Sequence, residues 1–361
     1  MPATATVTAR AAESIRPEIL ALSAYPVPSS TGFIKLDAME NPYTFPEALK
    51  PQLMAHLAAA SLNRYPDASA SALREAIREA MQIPAGLDIV LGNGSDEIIQ
   101  IIATACAKPG ATLLAFEPSF VMFKMIATFC GLRYAGVPLT TDFAIDMEAT
   151  RLAIKKHQPA VVFIAYPNNP TGNLFSRDAI REIINMSPGL VVIDEAYFAF
   201  ASRTFMNEIA NFPNVVLMRT VSKLGLAGLR LGLLAGHPEW IREFDKVRLP
   251  YNINSLTQAG ATFALKHYPA LLQQAAILCA ERTQMSAALS AMQGVTVFPS
   301  EANFVLIRVK DSEKTFSALL SRKILVKHTG ASHPMLNNTL RITIGTSAEN
   351  TAFLHALRDT I

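Results

Sequence analysis

Cysteine is scarce. The 361 residues hold three, Cys106, Cys130 and Cys279, odd in number, far apart and each in an apolar stretch. A secreted disulfide framework needs paired cysteines in a short chain, so these read as reduced core residues of a cytoplasmic protein. No C-x-x-C and no Cys/His cluster has metal-ligand spacing, so no metal site is expected. Charge is scarce too, at 17% of residues with a formal net charge of +3. So small an excess, with no basic stripe, argues against a nucleic-acid partner. No uninterrupted apolar run approaches the roughly 18 residues of a membrane span, and Met1 to Arg10 has no apolar signal-peptide core. Internal repeats and low-complexity linkers are also missing. The expectation is a soluble, cytoplasmic protein that binds neither nucleic acid nor membrane.

Hydrophobic residues, by contrast, make up 50% of the chain, which suits a large core or a large subunit interface. The length allows one large domain and a smaller one. Residues 1–12 read as a disordered arm. Residues 13–45, broken by Pro17, Pro26, Pro28 and Pro42, read as a lead-in that partly joins the small domain. From about residue 70 the pattern alternates between helices and short apolar runs. The runs lie at 111–116, 160–165, 190–193, 215–218 and 232–235, and helical spacing occupies about 119–130, 147–157 and 176–186. Continuous apolar strands separated by helices imply an α/β fold, with a mostly parallel sheet covered on both faces. After Pro250 two long helical stretches precede strands near 303–309, 324–326 and 340–344, the pattern of a smaller α+β domain. The expected division is a large domain over 46–250 and a small C-terminal domain over 251–361.

Four segments sit at strand ends or helix starts, where ligands of α/β sheets bind. Lys223 follows the run at 215–218 in Thr220-Val221-Ser222-Lys223-Leu224-Gly225 and precedes Arg230. A lysine amine in a desolvated pocket loses its proton readily and attacks carbonyls to form a Schiff base, and Arg230 offers a fork to a phosphate. Gly92-Asn93-Gly94-Ser95-Asp96-Glu97 opens a helix. Gly94 lets the backbone approach closely, and the free N–H groups with the Ser95 hydroxyl make an anion site; an ordinary cap at Ser95 or Asp96 would read the same way. Tyr166-Pro167-Asn168-Asn169-Pro170-Thr171-Gly172 is a turn by composition, in which Asn169 offers an amide donor. Asp194 closes the apolar run Val191-Val192-Ile193, where a carboxylate is costly unless paired. Tyr197 lies three residues on. Each segment alone has an ordinary structural account. Together they supply an amine nucleophile, a carboxylate for a ring nitrogen, donors for a phenolic oxygen and a phosphate cradle. Pyridoxal 5′-phosphate requires that set.

At these residues the chain resembles the fold-type I aminotransferases, the aspartate aminotransferase superfamily. Asn169-Pro170-Thr171-Gly172, Asp194-x-x-Tyr197 and Ser222-Lys223…Arg230 stand in that family's order and approximate spacing. Four further segments resemble the histidinol-phosphate aminotransferase branch: 35–43 (KLDAMENPY), 64–67 (RYPD), 92–97 (GNGSDE) and 340–346 (LRITIGT). The resemblance runs from about residue 13 to the C-terminus.

It implies that Lys223 holds the cofactor as a Schiff base and later moves the proton of the substrate α-carbon. Asp194 would pair with the ring nitrogen, Asn169 and Tyr197 would contact the phenolic oxygen, and Phe120 would stack on the ring. Gly94, Ser95, the Asp96 backbone N–H, Ser222 and Arg230 would hold the phosphate. Tyr65 matches a tyrosine that reaches the phosphate of the neighbouring subunit, which implies a homodimer. Arg341 matches the arginine that binds the substrate carboxylate, and Tyr25 a tyrosine near the substrate phosphate. Lys327 stands where many relatives carry a second phosphate-binding arginine, and lysine binds as a point charge. The activity implied is transfer of the amino group between L-histidinol phosphate and 2-oxoglutarate, giving imidazole acetol phosphate and L-glutamate, in ping-pong order. Aromatic aminotransferase or threonine-phosphate decarboxylase activity on the same fold is the alternative. A non-catalytic cofactor-binding regulator is more remote, because such proteins carry a DNA-binding module and no helix-turn-helix precedes residue 13.

Overall fold

A computed structural model describes residues 7–24 and 26–361. Its strands are β1 (Ile34–Leu36), β2 (Asp88–Asn93), β3 (Thr112–Glu117), β4 (Arg133–Pro138), β5 (Val161–Ala165), β6 (Leu190–Asp194), β7 (Val215–Thr220), β8 (Leu231–Gly236), β9 (Thr296–Val297), β10 (Phe304–Arg308), β11 (Ile324–His328) and β12 (Thr339–Thr343). Seven of them form one sheet in the order β4-β3-β5-β6-β7-β8-β2. The five strands β4, β3, β5, β6 and β7 are parallel, and β8 runs antiparallel to both β7 and β2. The mostly parallel sheet expected from the apolar runs is therefore present.

The strands that carry no alternation are buried on both faces, and their side chains sort by parity. Val162, Ile164, Val191, Ile193 and Leu217 pack with helices Ser71–Ala80 and Arg177–Met186 on one face. Val161, Phe163, Val192, Val216 and Met218 pack with Gly94–Cys106, Met122–Phe129 and Pro238–Asp245 on the other. The strands that sequence patterning does not reveal have local reasons. β4 is an edge strand with alternating exposure and a terminal proline, and β2 passes into a helix without a loop.

The second sheet has the order β1-β11-β12-β10-β9, with β1 and β11 parallel and the other pairs antiparallel. It packs its own core of Leu278, Phe304, Ile307, Ile342 and Phe353 beneath helices Tyr268–Ser290 and Ser347–Arg358. Helix Ser255–Lys266 lies instead on Lys50–Ala58 and Ser71–Ala80 and buries Ala261, Ala264 and Leu265 in the core of the large sheet. Its Gly260 faces Leu57 and Leu229, where a Cβ would come within 3.4 Å of each.

The disordered arm expected over 1–12 is corrected in part: Val7–Ser14 forms a helix. Alanine, arginine and glutamate in VTARAAES have high helix propensity, which a reading based on missing apolar residues overlooks. Pro17 occupies the first turn of the short helix Pro17–Leu20, a position its fixed φ favours. Among the described residues no helix is long and apolar enough to cross a membrane.

Leu217 lies at the centre of the large sheet with none of its surface exposed. Leu217→Ala should lower the urea-unfolding free energy of the large core by about 2–5 kcal/mol, and a loss below about 1 kcal/mol would contradict the packing described.

Candidate active site

The register of β5, β6 and β7 sets the floor of a cleft at their carboxyl ends. Ala165 lies opposite Asp194, and Asp194 opposite Met218. Beyond β7 the chain makes one turn of 3₁₀ helix, Ser222–Leu224, and leaves it through Gly225 at φ +99°. Only glycine takes that conformation without strain. The Asn41 amide closes over the turn, donating to the Leu224 carbonyl at 3.4 Å and to Gln274 Oε1 at 3.0 Å. The turn presents Lys223 half-buried in the cleft, with Nζ donating to the Ala38 carbonyl at 3.1 Å.

Opposite it, helix Gly94–Cys106 begins with no side-chain cap on its free N–H groups. Ser95 and Asp96 therefore do not serve as the ordinary cap, and the helix start is open to an anion. Two glycines make the close approach possible. Gly94 is at φ +76° with Arg230 Nη2 2.7 Å from where a Cβ would stand. A Cβ on Gly232 would lie 2.6 Å from the Gly94 carbonyl carbon and 2.9 Å from Ser95 N. Arg230 Nη2 is 3.5 Å from Asp96 Oδ2. Ser222 Oγ lies 2.9 Å from Thr220 Oγ1, which also faces the Leu231 carbonyl at 3.1 Å.

The remaining wall comes from the loops after β3, β5 and β6. Asn168 ties two of them together: it donates to the Pro118 carbonyl at 3.0 Å and to Thr171 Oγ1 at 2.7 Å, and accepts from Ser119 Oγ at 2.7 Å. This pins Phe120 and Asn169 at the cleft. Asn169 Oδ1 accepts from Arg341 Nη1 at 2.6 Å. Arginine only donates, so the oxygen of Asn169 is committed and its NH₂ is the group left for a ligand. Arg341 Nη2 donates to the Asp37 carbonyl at 2.7 Å, and its guanidinium lies over the Phe304 ring at 5.4 Å. Tyr197 is buried edge-on against the same ring, at 5.2 Å. Asp194 Oδ1 accepts from Ala196 N at 3.0 Å.

Burial perturbs these groups in the directions catalysis uses. The Lys223 amine is lowered to about 8, first by burial and then by the Arg341 cation, with Glu40 and Asp96 opposing. Asp194 is raised to about 7, again chiefly by burial, although the Ala196 N–H holds it down. A carboxylate so placed gains from any cationic partner brought into the cleft. Burial pushes the Tyr197 phenol well above its ordinary value, so it stays a hydrogen-bond donor.

The structure thus brings Ser95, Asp96, Phe120, Asn169, Asp194, Tyr197, Ser222, Lys223 and Arg230 around one cleft. Gly94 and Arg341 buttress it. Lys327 stands directly opposite Arg341 in the β11–β12 register, so the two side chains leave the same face of the small sheet. Tyr65 is not in the cleft of its own chain; it is 81% exposed and stacked on Tyr251 at 4.5 Å. Tyr25 lies outside the described residues. Sequence reading overlooked Met39, which lines the cleft, and the carbonyls of Asp37 and Ala38. Backbone acceptors leave no trace in residue type, although the position of this segment within KLDAMENPY was a signal.

Acylation of the cofactor-free protein should label Lys223 at a rate that rises with pH through a midpoint near 8, half of the amine being neutral there. A midpoint near 10.4, the ordinary lysine value, would contradict the desolvated environment. The label is read by mass on the peptide carrying Lys223.

Residues 31–357 match the family described as aminotransferase class I and II. The chain is 54% identical over 344 residues to the histidinol-phosphate aminotransferase of Chromobacterium violaceum, covering 95% of this chain and 97% of that one. It is 52% identical to histidinol-phosphate aminotransferase 2 of Cupriavidus pinatubonensis, with 95% of each covered. Among solved structures, that of the Sinorhizobium meliloti histidinol-phosphate aminotransferase in complex with pyridoxal-5′-phosphate superposes with a TM-score of 0.85 at 23% identity, over 96% of this chain and 97% of that one, which establishes a shared fold. Matched along nearly its whole length, the chain belongs to the class I and II aminotransferases, in their histidinol-phosphate aminotransferase branch.

Proposed function

We propose that this chain is a pyridoxal-phosphate-dependent enzyme of histidine synthesis. It transfers the amino group of L-histidinol phosphate to 2-oxoglutarate, giving imidazole acetol phosphate and L-glutamate in ping-pong order. The observation that carries the reading is the meeting in one cleft of the depressed Lys223 amine, the buried Asp194 and the Arg230 cradle at a helix start. Each fits the group. The uncapped N–H groups with Arg230 suit its phosphate, and a cationic ring nitrogen offsets the cost of burying Asp194. Bound there, the cofactor supplies the carbonyl that receives the amino group and the ring that accepts electrons.

The chain's own residues do the rest. Lys223, neutral above about pH 8, is the nucleophile and then the base at the α-carbon. Tyr197 and the Asn169 NH₂ donate to the phenolic oxygen, Phe120 covers the ring, and Gly94, Ser95, Asp96 N–H and Ser222 join Arg230 at the phosphate. Arg341 receives the substrate carboxylate, or the phosphate that histidinol phosphate carries instead, with Lys327 adding charge from the neighbouring strand and Tyr25 a further contact. Tyr65 completes the site of a second copy, so the working unit is a homodimer. The exposure of Tyr65 away from its own cleft supports this, as does the exposed apolar surface of Leu62 and Leu256 beside it. The large, cofactor-holding body runs from residue 46 and includes helix Ser255–Lys266, which moves the division from 250 to the turn at His267. The lead-in joins the small body through β1. Residence in the cytoplasm completes the proposal, in keeping with the biosynthetic names of the relatives.

Purified protein should turn over histidinol phosphate with 2-oxoglutarate at a kcat/KM well above that for phenylalanine, and release no carbon dioxide from threonine phosphate. The opposite order would transfer the assignment to the aromatic or decarboxylase reading. Lys223→Ala should abolish turnover. Lys327→Ala should raise KM for histidinol phosphate about tenfold, the size of one lost charged contact, and leave KM for glutamate nearly unchanged. Mixing Lys223→Ala with Tyr65→Ala dimers should restore activity by forming one intact site per heterodimer; no recovery would refute the shared site.

A further inference from the structure

Arg219 and Glu195 form a buried ion pair, with side chains 6% and 1% exposed and Nη2 2.9 Å from Oε2. Strand parity turns both away from the cleft, to the face opposite Asp194 and Thr220. The Glu195 carboxylate is saturated. It accepts from Arg219 Nε at 3.1 Å, from Thr204 Oγ1 at 2.8 Å and from Phe205 N at 2.6 Å, besides Nη2. Arg219 also donates to the Met81 carbonyl at 3.3 Å and to Thr204 Oγ1 at 2.9 Å, and its guanidinium lies 4.3 Å from the centre of the Phe198 ring. One side chain on the strand that leads into Lys223 therefore grips the two residues, Glu195 and Phe198, that bracket Ala196-Tyr197.

We propose that Arg219 and Glu195 are positioning residues that set Asp194 and Tyr197 against Lys223 from the far side of the sheet. The proposal rests on the reading of the cleft as the cofactor site. Its physical basis is the geometry of the fork. A buried ion pair adds little net stability over well-packed apolar residues, but a planar guanidinium that sets two nitrogens on Glu195 Oε2 and lies over the Phe198 ring restrains the turn between them. Displacements of about 1 Å at reacting groups cost about 100-fold in rate, so fixing this turn matters to catalysis more than to folding.

The test uses the holoenzyme and two variants. Glu195→Leu with Arg219→Met removes both charges and keeps the volume apolar. Arg219→Lys keeps the cation and loses the fork and the stacking. Arg219→Lys should melt near the wild-type temperature, and the double variant lower, because it leaves the buried Phe205 N–H and Met81 carbonyl without partners. Both should also bind pyridoxal phosphate about tenfold more weakly, shift the visible absorbance maximum of the bound cofactor, and lose about 10- to 100-fold in kcat with KM little changed. Wild-type cofactor affinity, spectrum and kcat in Arg219→Lys, or in the folded double variant, would overturn the proposal. Should the double variant fail to fold, Arg219→Lys alone decides. Wild-type protein that takes up no cofactor overturns the reading of the cleft, and the pair's role with it, a result distinct from variants that match a competent wild type.

Discussion

The side-by-side register of three parallel strands is the constraint on which the site depends. Ala165, Asp194 and Met218 lie in one row across β5, β6 and β7, and the segments that carry Asn169, Tyr197 and Lys223 follow from that row. Side chains alternate along a strand, so a slip of one residue would exchange Asp194 with Ile193 or Glu195 and turn the carboxylate into the apolar core. The hydrophobic runs prevent it: Val191 and Ile193 have one set of helices to fill, Val192 another. Core packing thus fixes the register to the residue, and the register fixes where the acid and the amine meet.

Against that rigid floor the site holds charge where charge is costly. Lys223, Asp194 and Arg341 share a poorly solvated space, and the first two respond by moving toward neutrality. The depressed lysine is less charged below its ordinary pKa and the raised carboxylate less charged above its own, so each spares part of the desolvation penalty. Arg341 cannot lose its proton and is kept by geometry instead, through Asn169 Oδ1, the Asp37 carbonyl and the Phe304 ring. A cofactor with an anionic phosphate, an aldehyde and a basic ring nitrogen would complement these groups.

What the sequence disclosed follows from this physics. Buried parallel strands leave long apolar runs, and residues with reactive side chains at their ends stand out; Lys223, Asp194 and Asn169 were legible for that reason. The uncapped helix start was visible as Gly94-Ser95-Asp96 but ambiguous, since only backbone geometry separates an anion site from a cap. Less legible were features that depend on the chain folding back over long separations. The Ala38 carbonyl meets Lys223 across 185 residues, and any residue type offers a carbonyl. Asn168 and Arg219 act as fasteners hidden behind the residues they hold. The helix at Val7–Ser14 was missed for the opposite reason: its signal lies in local propensity rather than in an apolar pattern.

The two arginines proposed to bind anions differ in a way that bears on how one site would treat unlike substrates. Arg230 is 54% exposed and faces Asp96 across 3.5 Å, a loose pairing that an incoming phosphate can displace at little cost. Arg341 is buried and held on two sides. A fixed fork recognises the planar carboxylate of glutamate by shape. A phosphate presents three oxygens and more charge, which a fixed fork alone satisfies incompletely. Lys327, opposite Arg341 on the same sheet face, brings a cation on a flexible stem whose contribution depends on charge and hardly on orientation. Shape from one residue and charge from the other would let a single pocket accept both anions in turn, as the proposed ping-pong order requires.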